Sequence, residues 1–298
     1  NEEKSFVVNT QIQVDTPLNA QNGIFVNAPN LYGQIVLTKE DIAIDSPEKI
    51  TIPANGTVNI PVSVNLSSIA EQLTAFYPNG FYVDGYVTLT DPNEDITGNV
   101  PLSVPFFGFN GEWDRAPIFD YFAWEPKTFW GYTALADEQG NFITGGGTFD
   151  TTRFGFSPNN DGVRDYAIPV FSLFRNAKEL KVEVLDSKGK VIRTVRNTNN
   201  VTKNYSLETP YTFILENGWD GRVNNKIAKD GDYFLQVSGV IDYVGADWQS
   251  IRFPVKVDTT APKATVELND NKTISLSNID DGEVGTGIEY WQVYVNNV

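Results

Sequence analysis

Apolar residues recur at every second position in one segment after another, and that period constrains the architecture more than any other feature. Residues 58–66 set Val58, Ile60, Val62, Val64 and Leu66 against Asn59, Pro61, Ser63 and Asn65. Such alternation marks a half-buried strand, and Pro61, which has no amide hydrogen, assigns it to a sheet edge or a bulge. Val83, Val87 and Leu89 oppose Tyr82, Asp84, Tyr86 and Thr88, with Gly85 reading as a close approach of backbone. Leu180, Val182 and Val184 lead into the turn Asp186-Ser187-Lys188-Gly189 and then Val191–Val195, a hairpin. Tyr233, Leu235 and Val237 repeat the pattern, as do Phe253, Val255 and Val257. Val266 and Leu268 face Ile274 and Leu276 across residues 269–272. The spacing predicts one helix, residues 68–76, with Ser68 and Glu71 placed as a capping box. One short helix among many short strands implies an all-β chain of tandem antiparallel β-sandwiches.

The residue types limit the chemistry. Lys and Arg number 22 against 38 Asp and Glu, a net charge of −16. Nucleic acid needs clustered cations, so it is set aside as a partner, and an anionic membrane surface goes with it. No apolar run reaches the roughly 20 residues of a bilayer span, so no membrane insertion is expected. His and Cys are both 0. That leaves no imidazole base for a Ser-His-Asp triad, hence no catalysis by these residues, and no ordinary zinc, haem or iron–sulfur site. Oxygen-ligated cations fit the acidic surplus, and Ca²⁺ is the expected cofactor.

Two boundaries stand out, at Asp114–Pro117 and at Val257–Pro262. They divide the chain into a first sandwich over residues 1–117, an aromatic-rich junction with a second sandwich over 118–258, and a truncated third unit over 259–298. The start Asn1-Glu2-Glu3-Lys4 carries neither an initiator Met nor a signal peptide, so the chain reads as a piece of something longer.

Residues 105–120 read PFFGFNGEWDRAPIFD, residues 79–87 read NGFYVDGYV, and residues 54–57 read ANGT. In that order they resemble the first fibronectin type III-like domain that follows the catalytic domain of cell-envelope subtilisin-like proteases. That group includes the lactocepins and the streptococcal complement peptidases. Residues 154–166, FGFSPNNDGVRDY, with Trp219-Asp220-Gly221-Arg222 and residues 229–233, KDGDY, resemble the second such domain. They also resemble immunoglobulin-like modules of other bacterial surface proteins. The resemblance implies a non-catalytic spacer or substrate-access region of a secreted, cell-wall-attached serine protease. Its own protease domain would lie N-terminal and pack on the first sandwich, and large proteins would be its substrates.

The strongest candidate site lies in the second motif. Oxygens at Ser157, Asn159, Asp161 and Asp165 fall at positions 1, 3, 5 and 9 of a calcium-loop spacing, with Gly162 at position 6 and Val163 at position 7. Ile168 stands where such a loop needs a bidentate Glu, so a carboxylate from elsewhere would have to complete the shell. The competing reading is a loop of Asx turns without metal. Glu112, Asp114 and Asp120 could be imagined as paired glycosidase carboxylates, but a two-residue spacing at a strand exit reads as ordinary surface charge. Trp124, Phe129, Trp130 and Tyr132 form the densest aromatic cluster, expected to fill a domain junction. Exposed as a row, they would instead mark a carbohydrate-binding or adhesin module, the alternative function.

Overall fold

The computed structural model describes residues 2–21, 24–27 and 33–288. They form two compact units, the first ending at Ala116 and the second starting at Pro117. The strands of the first unit are β1 (Lys4–Asp15), β2 (Pro17–Gln21), β3 (Ile24–Asn27), β4 (Gln34–Leu37), β5 (Ala43–Asp45), β6 (Lys49–Ile52), β7 (Ser63–Asn65), β8 (Phe81–Thr90) and β9 (Leu102–Asn110). Its helices are α1 (Ala70–Phe76) and α2 (Glu94–Thr97). The long β1 pairs with β8 on one side; on the other it pairs with β6 at its start and β4 at its end. β9 follows β8 at the edge of this antiparallel sheet. The facing layer is the β5–β7 pair with α1, and between them lie Ile12, Val14, Leu37, Leu73, Phe81 and Val83.

Local expectations and outcomes differ in instructive ways. Residues 58–66 alternate in burial as their sequence demands, yet only Ser63–Asn65 joins a ladder. Pro61 cannot donate to a neighbouring strand, so the segment is extended before it pairs. α1 forms without the capping box. Ile69 stands at its N-cap with no side-chain hydrogen bond, while the Ser68 hydroxyl donates to the carbonyl of Asp41 at 2.6 Å. A tertiary acceptor has replaced the local one. α2 is four residues long, too short for periodicity to announce; Asp91 closes it by accepting from the Asn93 amide at 2.9 Å. At Gly85 the close approach is real: a Cβ there would run into the carbonyl of Gln11 and the ring of Phe106.

The second unit contains β10 (Ala134–Ala136), β11 (Gly155–Phe156), β12 (Ile168–Val170), β13 (Ala177–Asp186), β14 (Val191–Val201), β15 (Arg222–Val223), β16 (Lys226–Ile227), β17 (Gly231–Val240), β18 (Gln249–Val257), β19 (Lys263–Leu268) and β20 (Ile274–Asp280). Its main sheet runs β11-β18-β17-β13-β14, and β11 alone within it pairs in parallel. The β10–β12 pair faces this sheet. Val182, Val184, Leu235, Val237, Phe253 and Val257 supply the inner face that period two assigns to them. The β13–β14 turn is the expected one, with the Gly189 amide donating to the Asp186 carbonyl at 2.9 Å. β19 and β20 form a hairpin in which Val266 faces Leu276 and Leu268 faces Ile274. Of the third unit expected from residue 259, residues 289–298 lie outside the described residues.

The aromatic stretch after Pro117 is part of the second core. Ile118, Phe119 and Leu135 are buried there, and Phe122 and Trp124 pack against the same cluster. Trp124 stacks on Phe122 at 4.6 Å and meets Phe154 edge-on at 5.3 Å. Large apolar rings go to the nearest dry volume, and here that is the inside of their own sandwich.

Candidate functional site

The loop after β11 is built from carboxylates and amides that bond to its own backbone. The Asp165 carboxylate accepts from the amides of Asn160 at 2.5 Å and Gly162 at 2.8 Å. Asn159 Oδ1 accepts from the Asp161 amide at 2.9 Å, and Asp161 Oδ1 from the Val163 amide at 2.9 Å. These are successive Asx turns, and they hold Asn160 and Arg164 at φ 62° and 54°. Glu138, which the sequence reading missed, reaches in from the other layer to accept from the amides of Asp165 and Tyr166 at 3.4 and 3.2 Å. A Glu in a polar turn, here half-buried, carries no local sign of this role.

The candidate donors thus sit on one loop. Ser157, Asn159, Asp161 and Val163 line a cleft of about 430 Å³ that Asp258 and Asp281 also line. Both of these carboxylates already accept backbone hydrogen bonds, Asp258 from Thr286 at 3.1 Å and Asp281 from Gly287 at 2.7 Å. Among the described residues, no group of three or more His, Cys, Asp or Glu side chains is gathered as a metal centre. Asp230 fastens the same cleft, accepting from the Thr259 amide at 3.0 Å and the Thr260 hydroxyl at 2.6 Å. Burial opposes the charge of Asp230, but these threonine donors hold its carboxyl below the ordinary range.

Asp120 corrects the reading of surface charge. It is fully buried, and its carboxylate accepts from the amides of Tyr121, Phe129 and Trp130 at 2.8, 2.9 and 2.7 Å. Trp130 is half-buried against Phe129, with ring centres 5.0 Å apart, while Tyr132 is 37% exposed and leans on Tyr211. Trp124, Trp130 and Tyr132 therefore do not form an exposed row.

This geometry defines an all-β protein of packed sheets whose side chains cap and brace loops. Residues 1–107 match the family of Fn3-like domains. The chain is similar to the C5a peptidase of Streptococcus pyogenes serotype M3, with 28% identity over 291 residues, covering 73% of this chain and 24% of that protein. It is also similar to the PI-type proteinase of Lactococcus lactis subsp. cremoris, 25% identical over 266 residues, covering 81% of this chain and 13% of the relative. The PII-type proteinase of the same organism is 24% identical over the same span. The resemblance to cell-envelope subtilisin-like proteases stands, and the chain spans about a quarter or less of the relatives it matches.

Proposed function

We propose that this chain is a non-catalytic accessory region of a secreted, cell-wall-attached subtilisin-like serine protease, one that governs access of large proteins to a catalytic domain elsewhere in the polypeptide. The observation that carries this reading is a likeness to such proteases over most of a chain that contains no His. A subtilisin-type serine needs an imidazole to take its proton, so the bond-breaking machinery belongs outside these residues.

The first unit offers a surface for the protease domain. Phe106 packs on the core, and Val104 and Leu102 lie on the same face of β9 by period two, yet they are 61% and 55% exposed. The facing layer stops short of them. Apolar side chains left bare at the end of a core face support a covering partner, and the protease domain is the one proposed. The test uses the full-length protein carrying Leu102→Glu and Val104→Glu. Turnover of a short peptide is expected to persist while cleavage of a large protein such as casein falls. If both activities are unchanged, this face is not the docking surface; if the isolated chain digests casein, the accessory reading fails.

Calcium at residues 157–165 is a second part of the proposal. Its support is that Asp258 and Asp281 line the same cleft as Asp161, because the loop by itself lacks the extra carboxylate its spacing calls for. A cation there would draw on Ser157, Asn159 and the Val163 carbonyl as well.

A further inference from the structure

The sequence around Val257–Pro262 has the composition of a linker: polar, short and ending in Pro. The hairpin it leads to has little of its own to hold it. No side chain of β19 or β20 belongs to either hydrophobic core, and Val266 and Leu268 are 52% and 73% exposed. A two-stranded hairpin alone in water is marginal, so its placement rests on its two feet. The first foot is the departing chain. Asp230, in the turn before β17, accepts from the Thr259 amide at 3.0 Å, the Thr259 hydroxyl at 2.7 Å and the Thr260 hydroxyl at 2.6 Å. The second foot is a strap, residues 285–287, that returns after β20 to the end of the second sandwich. There the half-buried Asp258 accepts from the Thr286 amide at 3.1 Å and its hydroxyl at 3.3 Å. Arg153, just before β11, donates from Nε to the Thr286 carbonyl at 3.1 Å.

Shape reinforces these bonds. Gly155 lies on β11, and a Cβ there would run into the methyl group of Thr286. Gly287 has φ 97°, and a Cβ there would run into the guanidinium of Arg153. Two glycines, one on each side of the contact, thus leave the room in which the strap and the sandwich meet. A flexible linker is a single pass of solvated chain with no tertiary bonds. This joint is crossed twice, outward at residues 258–262 and back at 285–287, and both passes are bonded to the same sandwich. Bending at the outward pass would have to pull Thr286 out of its seat and leave its backbone groups without their partners.

We propose that this joint is a latch: Thr286, seated against Gly155 and bonded to Asp258 and Arg153, locks the β19–β20 hairpin to the second sandwich so that the two move as one body. The latch needs only this chain, so its failure would leave the accessory reading standing. The chain has no Cys, so Lys188→Cys with Asp270→Cys creates the only two sites for spin labels, in the exposed turns of the β13–β14 and β19–β20 hairpins. Double electron–electron resonance on the whole chain should then give one narrow distance distribution. Thr286→Gly, which removes the seated side chain without touching the sandwich, should broaden it about twofold or more, toward the spread of an unconstrained linker. Gly155→Ala should do the same from the other side of the contact, and where that variant fails to fold Thr286→Gly decides alone. A broad distribution in the chain with Thr286 and Gly155 intact overturns the proposal, because the joint is then an ordinary linker. A narrow distribution that survives Thr286→Gly overturns it as well, because something other than this contact holds the hairpin.

Discussion

The amide of Trp130 donates a 2.7 Å hydrogen bond to the buried carboxylate of Asp120, ten residues earlier in the chain. The same carboxylate takes the amides of Tyr121 and Phe129 and the Thr128 hydroxyl. A single side chain thereby closes the aromatic segment into a loop and satisfies main-chain donors that the interior would otherwise strand. Replacing Asp120 by Ala orphans those donors, each at a cost of about 1–3 kcal/mol. The second unit should lose several kcal/mol in urea unfolding, and Asp120→Asn, which keeps one acceptor, should lose less.

Gly85 leaves no space for a side chain. Its missing Cβ is the reason the Gln11 carbonyl and the Phe106 ring can close on β8. Gly85→Ala should destabilise the first unit by about 1–3 kcal/mol through forced backbone movement, the usual cost of overpacking. The second unit's melting transition should not shift, which differential scanning calorimetry can read.

The loop at 157–165 has two separable supports. Asp165→Ala removes the acceptor for two amides and should lower the stability of the second unit by about 1–3 kcal/mol with or without metal. Calcium, as proposed, adds about 2.7 kcal/mol at a hundredfold excess over Kd. Chelator should then lower the second melting transition, and Asp161→Ala should abolish the difference. A transition indifferent to chelator leaves hydrogen bonds as the loop's fastening and ends the calcium proposal.

Asp15 gives the first unit a pH dependence of definite sign. Burial, and then the nearby charge of Asp84, push its carboxyl above the ordinary range. The fold therefore prefers neutral Asp15, and its charge opposes folding at neutral pH. That opposition disappears as pH falls through the raised pKa towards the unfolded value of about 3.9. Asp15→Asn should raise the first unit's melting temperature at pH 7, with the gain fading once pH falls below that value. A gain that is equal at both ends of the range would contradict the electrostatic cause.

How much of this was legible beforehand follows from the range of the forces involved. Period two identified the inner faces of β8, β13, β17 and β18, because alternation is a property of neighbouring residues and survives any tertiary arrangement. The Asp186–Gly189 turn and the Gly85 approach were legible for the same local reason. The tertiary structure decided what depends on partners distant in sequence. Ser68 had a local capping role open to it, and the Asp41 carbonyl won its hydroxyl. Asp120 read as surface charge because nothing in residues 112–120 shows that amides up to ten positions later will fold over it. The packing of Trp124 on the second core was not legible, because two of its ring partners, Phe149 and Phe154, lie a full loop away. Charge, alternation and turn chemistry are written along the chain; burial and the partner of each polar group exist only once the chain has closed, since both are set by what excludes water from a given atom.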